Sequence, residues 1–99
     1  MALIASVQSI TVQILETAPA QIQVDARGMT NTGGWSKPQL RKKSAKDGVY
    51  QFEFVAQQPG AIATQAFTKV AASITFPKPA DIREVQVIAK SNLKTEKMR

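Results

Sequence analysis

Five stretches of this chain alternate apolar and polar side chains with a period of two. No stretch of helical length carries apolar residues at the i, i+3, i+4, i+7 spacing. Ile10, Val12 and Ile14 alternate with Thr11 and Gln13. Ile22, Val24 and Ala26 do so with Gln21, Gln23, Asp25 and Arg27, and Tyr50, Phe52, Phe54 and Ala56 with Gln51, Glu53 and Val55. Val70, Ala72, Ile74 and Phe76 form a fourth run, and Val85, Val87 and Ala89 a fifth. Successive strand side chains point to opposite faces, so each run offers one apolar face to a core. Their Val, Ile, Thr and Phe content favours strands.

Turn formers punctuate the runs. Thr17-Ala18-Pro19-Ala20, Asp47-Gly48, Gln58-Pro59-Gly60 and Pro77-Lys78-Pro79-Ala80-Asp81 each interrupt a strand pattern. Residues Ile62 to Phe67 read as a weaker strand, with a change of phase near Phe67–Lys69 that suggests a bulge or corner. Trp35 to Leu40 reads as a short strand that Pro38 confines to an edge. Gly60 to Ala72 is the best helical candidate, but its Thr and Val content and its neighbours favour strand. The expectation is an all-β chain: an immunoglobulin-like antiparallel β-sandwich of six to seven strands. A five-stranded barrel of OB type is the alternative. Residues 1–99 form one domain, with a basic loop at 36–47 and a basic C-terminal tail at 91–99. The predicted core is Ile10, Val12, Ile22, Val24, Tyr50, Phe52, Phe54, Val70, Ile74, Phe76, Val85 and Val87.

The 99 residues include no cysteine and no histidine. The chain alone therefore builds no Ser-His-Asp triad, cysteine nucleophile, zinc finger or disulfide. The possible acid/base groups are Glu16, Asp25, Asp47, Glu53, Asp81, Glu84 and Glu96; Asp25 and Glu53 fall on outward strand faces, and turn hydrogen bonding explains Asp47 and Asp81. Ser44 and Lys46 form a nominal Ser-Lys pair, but they sit in a polar segment, where Lys46 is not desolvated enough to act as a base. The expectation is that the chain is not an enzyme and takes no cofactor or metal. No run of about 18 apolar residues is present to cross a membrane as a helix. Met1-Ala2-Leu3-Ile4-Ala5-Ser6 is small and apolar like the end of a secretory leader, but short and without a basic start. That predicts a periplasmic or secreted protein if a leader was removed, and a cytoplasmic one otherwise.

Arg27 to Lys46 is the least repetitive segment. It holds the single Trp, Gly33-Gly34 and the cations Lys37, Arg41, Lys42, Lys43 and Lys46. Trp35 reads first as a plug at one end of the core. The competing reading is a recognition loop with an aromatic anchor, its candidate residues being Asn31, Thr32, Gly33, Gly34, Trp35, Lys37, Arg41, Lys42 and Lys43. A phosphate-cradling loop is disfavoured, because the glycine spacing fits neither nucleotide-binding pattern.

The pattern Arg27-Gly28, Thr32-Gly33-Gly34-Trp35, Leu40, Asp47-Gly48-Val49-Tyr50-Gln51-Phe52, Pro59 and Val85-Gln86-Val87 resembles small bacterial proteins of unassigned function, often predicted to be secreted. The similarity runs from Ile22 onward and implies no activity. Asn31-Thr32-Gly33-Gly34-Trp35 is also similar in outline to the first inhibitory loop of chagasin-like inhibitors of papain-type proteases. It lacks the proline of that loop, and the two further binding loops have no counterpart.

The net charge is +6. Cations cluster at Lys37 to Lys46 and at Lys90, Lys94, Lys97 and Arg99. Charge of this sign suits nucleic acid, anionic lipid or acidic polysaccharide. Aromatic residues, at 6%, do not interleave with the cations as in base-stacking surfaces. The expected function is a non-catalytic binding or interaction module of a bacterial secreted or periplasmic protein, its partner an unknown protein or an acidic surface. The alternative is a basic β domain binding nucleic acid or another polyanion, weakly and without sequence preference.

Overall fold

The structure, a computed structural model, describes residues 1–60 and 67–98. Eight strands lie among them: β1 Ala2–Leu3, β2 Ser6–Leu15, β3 Gln21–Thr30, β4 Ser36–Lys46, β5 Val49–Gln57, β6 Thr68–Pro77, β7 Glu84–Ile88 and β8 Leu93–Lys97. They form two sheets that face each other across one core. The three-stranded sheet has the order β2-β3-β6, all antiparallel. In the other sheet β4 pairs with β5 along its whole length. β7 and β1 share the opposite flank of β5, β7 against Val49–Glu53 and β1 against Val55–Ala56. β8 is added outside β7. No helix among the described residues is long and apolar enough to cross a membrane.

The all-β, two-sheet expectation is met, and the barrel alternative is not. Three details differ. The described residues hold eight strands rather than six or seven. The β5–β7 pair is parallel, so the fold is not wholly antiparallel. The predicted loop at 36–47 is strand β4 followed by a turn, and most of the predicted tail at 91–99 is strand β8, while Arg99 lies outside the described residues.

The turn explains β4. Asp47 and Gly48 take φ of 54° and 79°, and Lys46 pairs with Val49 across them. Two central residues at positive φ make the type I′ hairpin that Asp-Gly favours. Once that turn closes, the residues before it must run back along β5, whatever their polarity. Gly48 is also required by space, since a Cβ there would stand 2.5 Å from the Asp81 carbonyl oxygen. Arg83 fastens the turn, its Nε and Nη2 donating to the Asp47 carbonyl at 3.1 and 2.7 Å.

The core sits between the central strands. Ile22, Val24 and Ala26 of β3, Phe52 and Phe54 of β5 and Val85 and Val87 of β7 are all buried. Ile10, Val12, Tyr50, Val70, Ile74 and Phe76, predicted as core, are only half-buried and pack against its margin. β2 and β6 explain most of this shift. They flank β3 as outer strands, so their inward side chains meet the rim of the sandwich, where β2 lies near β8 and β6 near β4. Ile4, Val7, Leu40, Val55, Ala56, Ile82 and Ala89 are core residues that the predicted core left out. Val55 breaks the alternation, for it is buried on the opposite face between Leu3 and Gln39.

Gly28 lets the sheets close at one end. A bulge in β2 between Val7 and Ser9 lies opposite Arg27–Gly28. A Cβ on Gly28 would stand 2.3 Å from the Ser6 carbonyl oxygen and 2.5 Å from Ile4 Cδ1. The β7–β8 turn then ties the N-terminal segment down. Val7 N–H donates to Asn92 Oδ1 at 2.9 Å, and Asn92 Nδ2 donates back to the Val7 carbonyl at 2.8 Å. Lys90 N–H and Ser91 N–H donate to the carbonyls of Ile4 and Ala5.

The weak strand expected at Ile62 to Phe67 lies, apart from Phe67, outside the described residues, as does the first part of the helical candidate Gly60 to Ala72. Its end, Thr68 to Ala72, is strand. From Thr68 onward β6 pairs with β3 without a register shift, so of the expected bulge or corner near Phe67–Lys69, a bulge does not fall within the strand.

Candidate functional site

The predicted site residues divide between two places. Asn31 to Trp35 form the β3–β4 turn at one end of the sandwich. Buried Thr30 donates its hydroxyl to the Thr32 carbonyl at 2.8 Å. The Trp35 indole N–H donates to Thr32 Oγ1 at 2.9 Å. Gly34 has φ of 84°, and a Cβ on it would meet Pro59 Cβ at 2.9 Å. The turn is thus braced from inside by hydroxyls and from outside by Pro59. Trp35 is half-buried and packs against the core margin. It also lines a cleft of about 400 Å³ together with Asn31, Leu3, Gln58 and Lys90. Gln58 and Leu3 were not predicted for the site. Lys90 entered only as part of the second cationic cluster.

Lys37, Arg41, Lys42 and Lys43 lie along β4, whose outer side pairs with no strand among the described residues. Two bulges interrupt the strand. Lys37 and Pro38 stand between the pairs Ser36–Gln57 and Gln39–Val55, opposite Ala56 alone. Lys43 is the extra residue between the pairs Lys42–Phe52 and Ser44–Gln51. Lys37 has φ of 51°, a left-handed conformation uncommon for a residue with a side chain and disfavoured before proline. Bulges at an edge break the regular row of backbone groups that another strand would pair with. Proline fits there, because a bulge asks for one N–H fewer.

The cations of β4 have different surroundings. Arg41 Nη2 pairs with Glu53 Oε1 at 3.1 Å on the outer face, the one salt bridge among the described residues. Both ends are partly exposed, so the pair contributes about 0–1 kcal/mol. Lys42 lies on the inward side, with its ammonium 5.4 Å from the centroid of Tyr50. Tyr50 stacks on Phe76, which packs on Phe52. Lys42 therefore caps an aromatic column while staying exposed, and it does so from strand β4 where a loop was expected. Lys37, Lys43 and Lys46 are exposed and have no carboxylate partner among the described residues. With two bulged residues, the stripe from Lys37 to Lys46 runs alongside Val49 to Ala56 of β5 and, at about 3.3 Å per residue, spans roughly 23 Å.

The tyrosine at the column's end is held protonated. Partial burial, then the hydrogen bond to Asp81 Oδ1 at 3.0 Å and that carboxylate's charge, raise its pKa above the ordinary 10.0. The other polar candidates are tied into the fold. Ser44 Oγ donates to Gln51 Oε1 at 2.7 Å, and Gln51 Nε2 to Gln86 Oε1 at 2.8 Å, a ladder across three strands. Asp25 accepts from Gln23 Nε2. Among the described residues no three acidic side chains gather into a metal-binding group. No protein family, curated protein or solved structure matches this chain.

Proposed function

We propose that the chain is a non-catalytic binding module that engages an extended acidic partner along the edge strand β4. The observation that carries this reading is the row of exposed ammonium groups at Lys37, Lys43 and Lys46, which have no carboxylate partner among the described residues, on a sheet edge that pairs with no further strand among them. The two facing sheets serve as an immunoglobulin-like presenting scaffold, with the parallel β5–β7 pair as a departure from that pattern. A rigid sandwich edge holds the cations at fixed intervals, so a linear polyanion meets them without ordering a loop. Nucleic acid is the second reading, because phosphates suit the same stripe. Tyr50, Phe52 and Phe76 stack inward on one another instead of offering a platform to bases, so such binding is independent of sequence.

A lysine edge also discourages strand pairing between copies, and one substitution separates the two roles. A carboxylate guards an edge as an ammonium does, but it repels an acidic partner. The double variant Lys43→Glu, Lys46→Glu is expected to keep its melting curve within about 0.5 kcal/mol and to lose at least about tenfold in affinity for inorganic polyphosphate by calorimetry. Wild-type affinity falls linearly on a log–log plot against salt. Unchanged affinity in the double variant overturns the reading. Selective binding of one DNA sequence favours the nucleic-acid alternative.

A further inference from the structure

The cleft beside Trp35 has a chemistry distinct from that of the β4 edge. Leu3, Ala2 and Ala5 supply apolar wall, and Trp35 supplies aromatic surface. The indole N–H is already engaged by Thr32, which leaves the ring carbons as its contact surface. Asn31, Gln58 and Lys90 supply two amides and an ammonium from three separate segments. Among the described residues none of these three side chains has a hydrogen-bond or ion-pair partner, and no carboxylate is among the lining residues. At about 400 Å³ the cleft is at the small end of ligand sites, room for one ring rather than a chain.

We infer that this cleft binds a single acidic sugar residue, a pyranose ring bearing a carboxylate. A sugar ring has one face of C–H groups, which packs on an aromatic surface, and a rim of hydroxyls that exchange hydrogen bonds with side-chain amides. The carboxylate meets Lys90 in a charge-assisted hydrogen bond, stronger than a neutral one. A purely apolar ligand would strip water from Asn31, Gln58 and Lys90 without replacing it. A simple anion would leave Trp35 and Leu3 unused. The turn that carries Trp35 and Asn31 is braced by Thr30, Thr32 and Pro59, and the backbone of Lys90 is bonded to Ile4. The backbone that presents Trp35, Asn31 and Lys90 is therefore set before the ligand arrives.

Trp35 is the only tryptophan, so its fluorescence reports on this cleft directly. The experiment titrates glucuronate, glucose and acetate into the full chain. Glucuronate should give a saturable change with a midpoint on the order of 1 mM. Glucose should bind about tenfold more weakly, and acetate should produce no saturable change. Lys90→Gln should remove the preference for glucuronate over glucose, and Asn31→Ala should weaken both sugars, with unchanged far-ultraviolet circular dichroism in each. Lys43→Glu, Lys46→Glu should leave the glucuronate titration intact, so failure at the β4 edge and failure here are seen separately. The inference is overturned if glucuronate gives no saturable change, if acetate matches it, or if Lys90→Gln keeps the preference.

Discussion

Gly28→Ala tests how the sandwich closes. Two effects oppose each other. Replacing a strand glycine by alanine normally stabilises by about 0.5–1 kcal/mol, through the entropy of the unfolded chain. Here the new methyl would lie 2.3 Å from the Ser6 carbonyl oxygen, 2.5 Å from Ile4 Cδ1 and 3.3 Å from Phe54 Cε2. The first of these is main chain, in a segment anchored through Lys90, Ser91 and Asn92. It has little room to retreat, so the substitution exceeds the ordinary overpacking cost of about 1–3 kcal/mol. The clash wins, with a net loss of about 2–3 kcal/mol. At about 4–8 °C per kcal/mol for a domain of this size, Tm drops by roughly 10–20 °C in thermal unfolding followed by circular dichroism. Ile4→Val removes Cδ1, one of the clashing atoms, and alone costs about 0.5–1.5 kcal/mol. Combined with Gly28→Ala it should cost less than the sum of the two single variants. A Tm for Gly28→Ala equal to or above wild type would refute the reasoning.

Three further outcomes follow from the same contacts. Asn92→Ala leaves the Val7 N–H and carbonyl without their partner and should cost about 1–3 kcal/mol, read as a lower denaturant midpoint at constant slope. Phe52→Ala, at a fully enclosed position, should cost about 3–5 kcal/mol, and an unchanged midpoint would mean that the β5 register is wrong. Tyr50, the single tyrosine, should ionise above pH 10 in an absorbance titration at alkaline pH, and Asp81→Asn should bring its pKa down. Because the folded pKa is the higher one, the folded state holds the phenolic proton more tightly. Its contribution to stability is complete below about pH 10 and is lost as pH rises from there through the folded value.

The strands that bury a full row were plain from the residues alone. Ile22-Val24-Ala26, Phe52-Phe54 and Val85-Val87 alternate because their strands lie inside a sheet and face the other one. β4 was less legible because only Leu40 of its 11 residues is buried. An edge strand with one core residue carries no period-two signal, so only its first half, within Trp35 to Leu40, reads as a short edge strand, and the Lys and Arg content of the rest reads as loop. The Asp47-Gly48 dipeptide held the missing information, since a two-residue hairpin turn requires a strand on both sides. β8 was hidden for the same reason, all five of its residues being exposed. Ile4 and Val7 lie outside every predicted run and are buried through the Asn92 clip and the Gly28 contact, both of which join residues far apart in the chain. The Trp35 turn was recognised by its composition. Its cleft partners Leu3, Gln58 and Lys90 come from distant segments that only the fold brings together.

The claim that matters most is that β4 is where an acidic partner docks. Backbone amide shifts in a ¹⁵N–¹H spectrum, followed while a short inorganic polyphosphate is added at low salt, test it residue by residue. The largest changes should fall on Lys37, Lys43 and Lys46 and on their β5 neighbours, and they should fade together as salt is raised. Changes centred on Lys90 to Lys97, or small shifts spread evenly over every lysine, would contradict the account.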